Sequence, residues 1–213
     1  MKTDELVTLL ATGAGVVEPN ATGRRYATAL GWGVFGAAFL FAILLGVRPD
    51  IDMAVRLPMF WVKLAFAASV AVASLFVASR LSRPGARLRW APGALAAPVL
   101  AMWLFAAYVL LGAPPPERAD LVMGRTWEYC LIGVPLLSAP LLVATLLAMK
   151  GLAPTRPALA GASAGLLAGA IGALIYALHC PEMEAPFLGV WYVLGMLIPT
   201  AAGALLGPFV LRW

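Results

Sequence analysis

Charge is scarce in this sequence. Asp, Glu, Lys and Arg make up 12% of its 213 residues, against about 25% in an ordinary soluble domain. Histidine occurs once, at position 179, and cysteine twice, at 130 and 180. A single histidine rules out an HExxH metalloprotease site, and two cysteines so far apart rule out a CxxC redox motif. No Gly-rich loop ending in Lys-Ser or Lys-Thr is present, so a Walker-type nucleotide site is absent too. The centres of the long apolar runs hold no Asp, Glu or Arg. Intramembrane carboxylates normally mark a proton relay or ion path, so their absence argues against a proton-coupled transporter. Lys63 is the one basic residue within such a run, and its place near the run's end predicts that it snorkels to the interface.

What the chain does have is hydrocarbon. Hydrophobic residues make up 62% of it, and mean hydropathy is +0.92. A membrane-crossing helix needs about 20 mainly apolar residues. Six segments qualify: Ala27–Val47, Met59–Ser79, Ala91–Gly112, Cys130–Met149, Pro157–Leu178 and Leu188–Leu211. They are continuous and rich in Leu and Ala, unlike the alternating strands of a transmembrane barrel. The first lies behind a polar segment without a small-residue cleavage site, so a signal peptide is not expected. The fold class is therefore an all-α integral membrane protein with six transmembrane helices.

The basic residues orient it. Lys2, Arg24, Arg25, Arg80, Arg83, Arg87, Arg89, Lys150, Arg156 and Arg212 fall on one side. Arg48, Arg56, Lys63, Arg118 and Arg125 fall on the other. Ten against five places both termini in the cytoplasm. The net charge of +5 thus reflects membrane topology, and no direct nucleic-acid partner is expected. The short basic loop "SRLSRPGARLRW" serves the same orientation.

Two pieces are distinguished: a cytoplasmic segment, 1–26, and the bundle, 27–213. In the first, Thr3 can cap a helix whose opening turn holds Asp4 and Glu5, where negative charge suits the helix dipole. Leu6, Leu9 and Leu10 then share a face, with Val7 beside it, and Gly13 and Gly15 end the pattern. A flexible stalk follows through "VVEPNATG". With an acidic first turn and one lysine, this helix suits a protein groove better than an anionic lipid surface. In the fifth span Gly161, Gly165 and Gly169 recur every fourth residue, which permits close approach of a neighbouring helix. Trp127, Tyr129, Trp191, Tyr192 and Trp213 sit near span ends as interfacial anchors.

The reactive residues cluster in "YALHCPEMEAPFLGVWYVLG", from Tyr176 to Gly195. Cys180 follows the fifth span, and Cys130 opens the fourth after "GRTWEY". Two consecutive antiparallel spans bring these ends to one face, the non-cytoplasmic one by the charge count. In a bacterium that face meets the periplasm, where disulfides persist. His179, Glu182 and Glu184 adjoin Cys180, and Glu128 adjoins Cys130. Several outcomes are open on these residues alone: an activated thiolate, a soft-metal site with sulfur and nitrogen ligands, a stabilising disulfide, or two inert buried thiols.

The opening "MKTDELVTLLA", the "RTWEYC" before the fourth span, "HCPEMEAPFLGVWYVLG" and the closing "GPFVLRW" together resemble the NrsF-type bacterial membrane anti-sigma factors, over essentially the whole chain. The resemblance implies a protein that holds an extracytoplasmic-function sigma factor inactive at the inner membrane. It implies release when heavy-metal or oxidative stress acts on two periplasmic cysteines, which map to Cys130 and Cys180. His179, Glu182, Glu184 and Glu128 are then accessory groups. The N-terminal segment, with Asp4, Glu5, Leu6, Leu9 and Leu10, would meet the sigma factor. The expected partners are that factor and the lipid bilayer; no cofactor and no enzymatic activity are expected. Two other readings are a membrane thiol oxidoreductase, needing a quinone pocket and an exchanging cysteine pair, and a small transporter, needing a polar water-filled path.

Overall fold

The computed structural model describes residues 3–13, 20–83, 85 and 90–212. Lys2, Arg87, Arg89, Trp213, Gly15 and the first half of the expected stalk, residues 16–19, lie outside them.

Helices dominate. α1 spans Thr3–Gly13, α2 Ala21–Leu44, α3 Ile51–Ala54, α4 Pro58–Leu81, α5 Ala91–Gly112, α6 Arg118–Met123, α7 Trp127–Lys150, α8 Pro157–Tyr176, α9 Ala185–Phe187 and α10 Val193–Val210. A π turn, Leu188–Tyr192, joins α9 to α10. Among the described residues, six helical segments are long and apolar enough to cross a membrane: 22–44, 58–81, 91–112, 115–150, 157–176 and 185–210. Each of the six expected segments is therefore helical. The fourth is longer because α6 and a short 3₁₀ turn precede α7, and α2 starts six residues before the expected Ala27. There Asn20, at φ 67°, precedes the first turn, and the Arg24 amide donates to its carbonyl. The last residues expected in the stalk, 21–23, are thus helical.

Proline sets several starts. Pro58 and Pro157 occupy the first turns of α4 and α8, where the missing N–H has no intrahelical partner to lose. Pro98, Pro135, Pro140, Pro199 and Pro208 lie inside helices, which apolar bundles tolerate because neighbouring helices support the bent backbone.

α8 is the central helix, packed on α10, α7 and α4; α2 covers α7, and α5 covers α4. The small residues of α8 explain its position. Gly161 faces the Gly203 carbonyl so closely that a Cβ would lie 2.0 Å from its oxygen; Gly165 meets the Pro199 carbonyl in the same way. The four-residue glycine spacing thus serves contact with α10 within one chain. Around this core runs an apolar surface that includes Phe35, Phe39, Val72, Leu104, Leu147, Leu205 and Phe209, all exposed. Such an exterior is costly in water and natural against hydrocarbon.

Connectivity gives the bundle two ends. One gathers the C-termini of α2, α5 and α8 with the N-termini of α4 and α7. At the other, Tyr26 of α2 and Ser82 after α4 share a hydrogen bond of 2.8 Å. α1 carries Asp4 and Glu5 in its first turn and begins at Thr3, which is helical and not a preceding cap. Its residues 3–12 are all exposed, including Leu6, Val7, Leu9 and Leu10.

Candidate functional site

The first end of the bundle holds both cysteines. Cys130 lies one turn into α7. After α8, the chain makes one more loose turn, with the Cys180 amide donating to the Tyr176 carbonyl at 3.0 Å, and this carries Cys180 back over the helix ends. Both thiols are free and fully buried, and they are close neighbours. The pair is sealed in by the helices that bring it together.

Lys63 does much of the sealing. It lies five residues into α4 and is 0% exposed. Its Nζ donates to the Cys180 carbonyl at 2.7 Å and to the Glu182 carbonyl at 3.0 Å. It also lies 5.6 Å from the centre of the Tyr192 ring, within cation–π range. Lys63 does not snorkel: two carbonyls of the cysteine loop hold its ammonium inside, and sequence position alone gave no sign of them.

Arg48, in the segment after α2, braces the same loop. Its guanidinium binds the Asp50 carboxylate through two contacts, 2.7 and 2.6 Å, and reaches the Cys180 and Pro181 carbonyls, both at 3.4 Å. Its backbone N–H donates to Leu178. The Asp50 carboxyl is held below the ordinary carboxylate range chiefly by that hydrogen-bonded pairing.

The accessory residues divide. Glu182 accepts from the Arg125 amide at 2.8 Å and the Thr126 hydroxyl at 3.2 Å, tying the cysteine loop to the start of α7. Gly124 makes this possible. It adopts φ +58°, and a Cβ there would lie 2.5 Å from the Phe187 ring and 3.0 Å from the Glu182 carboxyl carbon. The His179 Nδ1 is 3.0 Å from the Gly46 carbonyl, so the imidazole fastens the end of α8 to the α2 turn. Glu128 and Glu184 are exposed. Among the described residues, no three His, Cys, Asp or Glu side chains converge as a metal site.

Two tyrosines complete the wall. The Tyr176 hydroxyl approaches the Cys130 thiol; the same ring lines a hollow of about 460 Å³ with Arg48, Asp50, Thr126, Tyr129 and His179. Tyr192, expected at the interface, is instead fully buried. Its hydroxyl faces the Cys180 sulfur and, among the described residues, is the one buried side-chain polar atom without a well-formed hydrogen bond. The Trp127 and Trp191 rings pack against each other with centroids 4.7 Å apart, and the Trp191 Nε1 donates to the Val122 carbonyl at 2.8 Å.

The electrostatics of the pair are lopsided. The Cys180 thiol is held below the ordinary thiol value of 9.0, first by its hydrogen bond with Cys130 and then by the Lys63 charge, against burial, which pushes it up. A thiol held below its ordinary value is more ionised at neutral pH, and so more reactive.

Comparison with known proteins supplies the context. No solved structure matches the chain. A probable anti-sigma-F factor NrsF of Azospira oryzae is 55% identical, over the full length of both chains. The anti-sigma-F factor NrsF of Caulobacter vibrioides is 38% identical, again over all of both. The model of the family described as negative regulator of sigma F matches residues 10–213, which takes in all six apolar helices and both cysteines. Full-length agreement of this kind leaves no part of the bundle unaccounted for, and the chain belongs to the NrsF family, a regulatory and non-enzymatic one.

Proposed function

We propose that this chain is an anti-sigma factor of the bacterial inner membrane. Its N-terminal segment, 1–26, holds an extracytoplasmic-function sigma factor in the cytoplasm. Oxidative or metal stress acting on Cys130 and Cys180 from the periplasm releases that factor. The observation that carries the reading is the contact of the two buried thiols, brought from α7 and from the loop after α8 to one end of the bundle. A bond made or lost between them acts directly on the packing of α7 against α8. Such a switch works only if the modified pair favours one of two packings. The exposed Leu6, Leu9 and Leu10 face of α1 suits the output, since an amphipathic helix of this kind lays its apolar side in a partner's groove.

The test uses a reporter driven by the sigma factor. Cys130→Ser, Cys180→Ser and the double variant should share one defect: repression intact, with no release under oxidant or thiophilic metal. Coupled residues give non-additive effects, so the double variant should be no worse than either single one. Normal membrane abundance of all three separates signalling from folding. Two single variants that respond as the parent does would refute the sensor role.

A further inference from the structure

The surroundings of the thiol pair are built for a negative charge on one of its two sulfurs. Lys63 is a fully buried cation whose hydrogen bonds go to two carbonyls, neither of them charged. A buried ammonium calls for an anion, and its nearest ionisable acid neighbours are Cys180 first and Cys130 after it. Tyr192 is a buried hydroxyl without a well-formed acceptor, directed at the Cys180 sulfur. Buried polar atoms are rarely left orphaned, and a thiolate at Cys180 would satisfy this one.

From these contacts we infer that Cys180 is the attacking thiolate toward a hydroperoxide and Cys130 the resolving thiol, with Lys63 and Tyr192 as the positioning residues that set this order. The inference rests on the thiol-sensor reading above and specifies its first chemical step. The Cys180 sulfur attacks one peroxide oxygen; an S–O bond forms, the O–O bond breaks, and hydroxide departs from hydrogen peroxide, or alkoxide from an organic hydroperoxide. The Cys130 sulfur then attacks the Cys180 sulfenic acid. The S–S bond forms, the S–O bond breaks, and water leaves with the Cys130 proton. Two thiols lose two electrons and the peroxide gains them. The disulfide is neutral, so Lys63 is left as a buried cation without its counter-charge, which favours a shift of α4 against α8.

The other groups around Cys180 do not reverse this order. From α7 comes the Cys130 thiol; from α8, the Tyr176 hydroxyl, which approaches Cys130. Arg48 adds positive charge, although its guanidinium is already paired with Asp50. The Glu182 carboxylate is engaged by Arg125 and Thr126, while its backbone N–H donates toward the Cys180 sulfur. His179 is turned to Gly46.

The experiment treats the reduced, full-length protein in detergent with hydrogen peroxide and dimedone, and reads sulfenic labelling of each cysteine by mass spectrometry across pH. With Cys130→Ser, Cys180 should label at least about tenfold faster at pH 7 than Cys130 does with Cys180→Ser, the ratio that one pH unit of difference in ionisation makes. Adding Lys63→Gln should remove most of that advantage and move the Cys180 pH–rate curve upward, while Lys63→Arg should keep the charge and much of the rate. The order of iodoacetamide alkylation in the parent protein, Cys180 before Cys130, checks the same point without any substitution. Equal or reversed rates, or a Cys180 curve unmoved by Lys63→Gln, would overturn the inference. Because the readout is on sulfur, the two readings fail separately. Cys180-first chemistry with the sigma factor still bound would retire the sensor role, and release with Cys130 oxidised first would retire only the order.

Discussion

Gly165→Ala adds one methyl group where α8 and α10 touch backbone to backbone. The new Cβ would lie 2.0 Å from the Pro199 oxygen and 2.7 Å from the Thr200 Cα. An ordinary contact begins at 3.4 Å, so the helices must separate by about 1.4 Å. Neither facing group can rotate away, because both are main chain. Overpacking of this kind costs about 1–3 kcal/mol, and separation here also loosens the neighbouring contacts of Gly161, Gly203 and Gly207. Better helix propensity returns no more than about 1 kcal/mol, leaving a net loss of about 1 kcal/mol from the midpoint of that range. Gly31→Ala is the control: nothing lies within 4 Å of its added Cβ, so only the propensity gain applies. Unfolding in mixed micelles with rising SDS fraction, followed by tryptophan fluorescence, measures both. Gly165→Ala should unfold at a clearly lower SDS fraction than the parent, and Gly31→Ala at the same or a higher one. If Gly165→Ala matched the parent, the close approach of α8 and α10 would be refuted.

Reporter fusions at Trp213 and in the loop around Pro114 should fall in opposite compartments, with Trp213 cytoplasmic; the reverse would put the thiol pair on the wrong side for the sensor. Changing Leu6 and Leu10 together to Asp should switch the sigma factor's genes on without stress, since burial of each leucine is worth about 1.5–3 kcal/mol; unchanged repression by a normally inserted protein would clear this face. Gly124→Ala should loosen the tie between Glu182 and Arg125, seen as faster amide exchange at Arg125 and Thr126 and faster alkylation of both cysteines. Equal exchange and equal alkylation would show that the tie does not guard the pair.

The six spans were legible because about 20 apolar residues in succession allow little else. The glycine row of α8 was legible for a similar reason, and its partner could have been found: Gly195, Pro199, Gly203 and Gly207 repeat the same spacing in the last helix. Both cysteines fall at one end of the bundle because they are the ends of successive antiparallel helices, but which of the open outcomes holds for them is not written in the sequence. Three residues explain why. The distance of Lys63 to the helix end points to the interface, while its fate depends on carbonyls more than a hundred residues away. Tyr192 adjoins Trp191 in an anchor-like pair, although adjacent helical residues point in different directions. His179 is the scarcest residue, and scarcity does not reveal that its ring is bonded to Gly46.

The π turn at Leu188–Tyr192 fixes how many residues this part of the chain can have. A wide turn holds one residue more than an α-helix would over the same rise, and here the Gly189 carbonyl accepts the Trp103 indole N–H at 2.8 Å. Deleting a single residue from it would close this stretch into an ordinary helical turn, and Gly195, Pro199, Gly203 and Gly207 would keep their register on α8. The change falls on the turn itself: the Gly189 carbonyl would leave the Trp103 indole, and Tyr192 would leave the thiol pair. The wide turn thus separates two demands on one helix. Its extra residue sets the wall of the thiol site without disturbing the seam between α8 and α10, so a one-residue deletion here should alter thiol reactivity and spare assembly of the bundle.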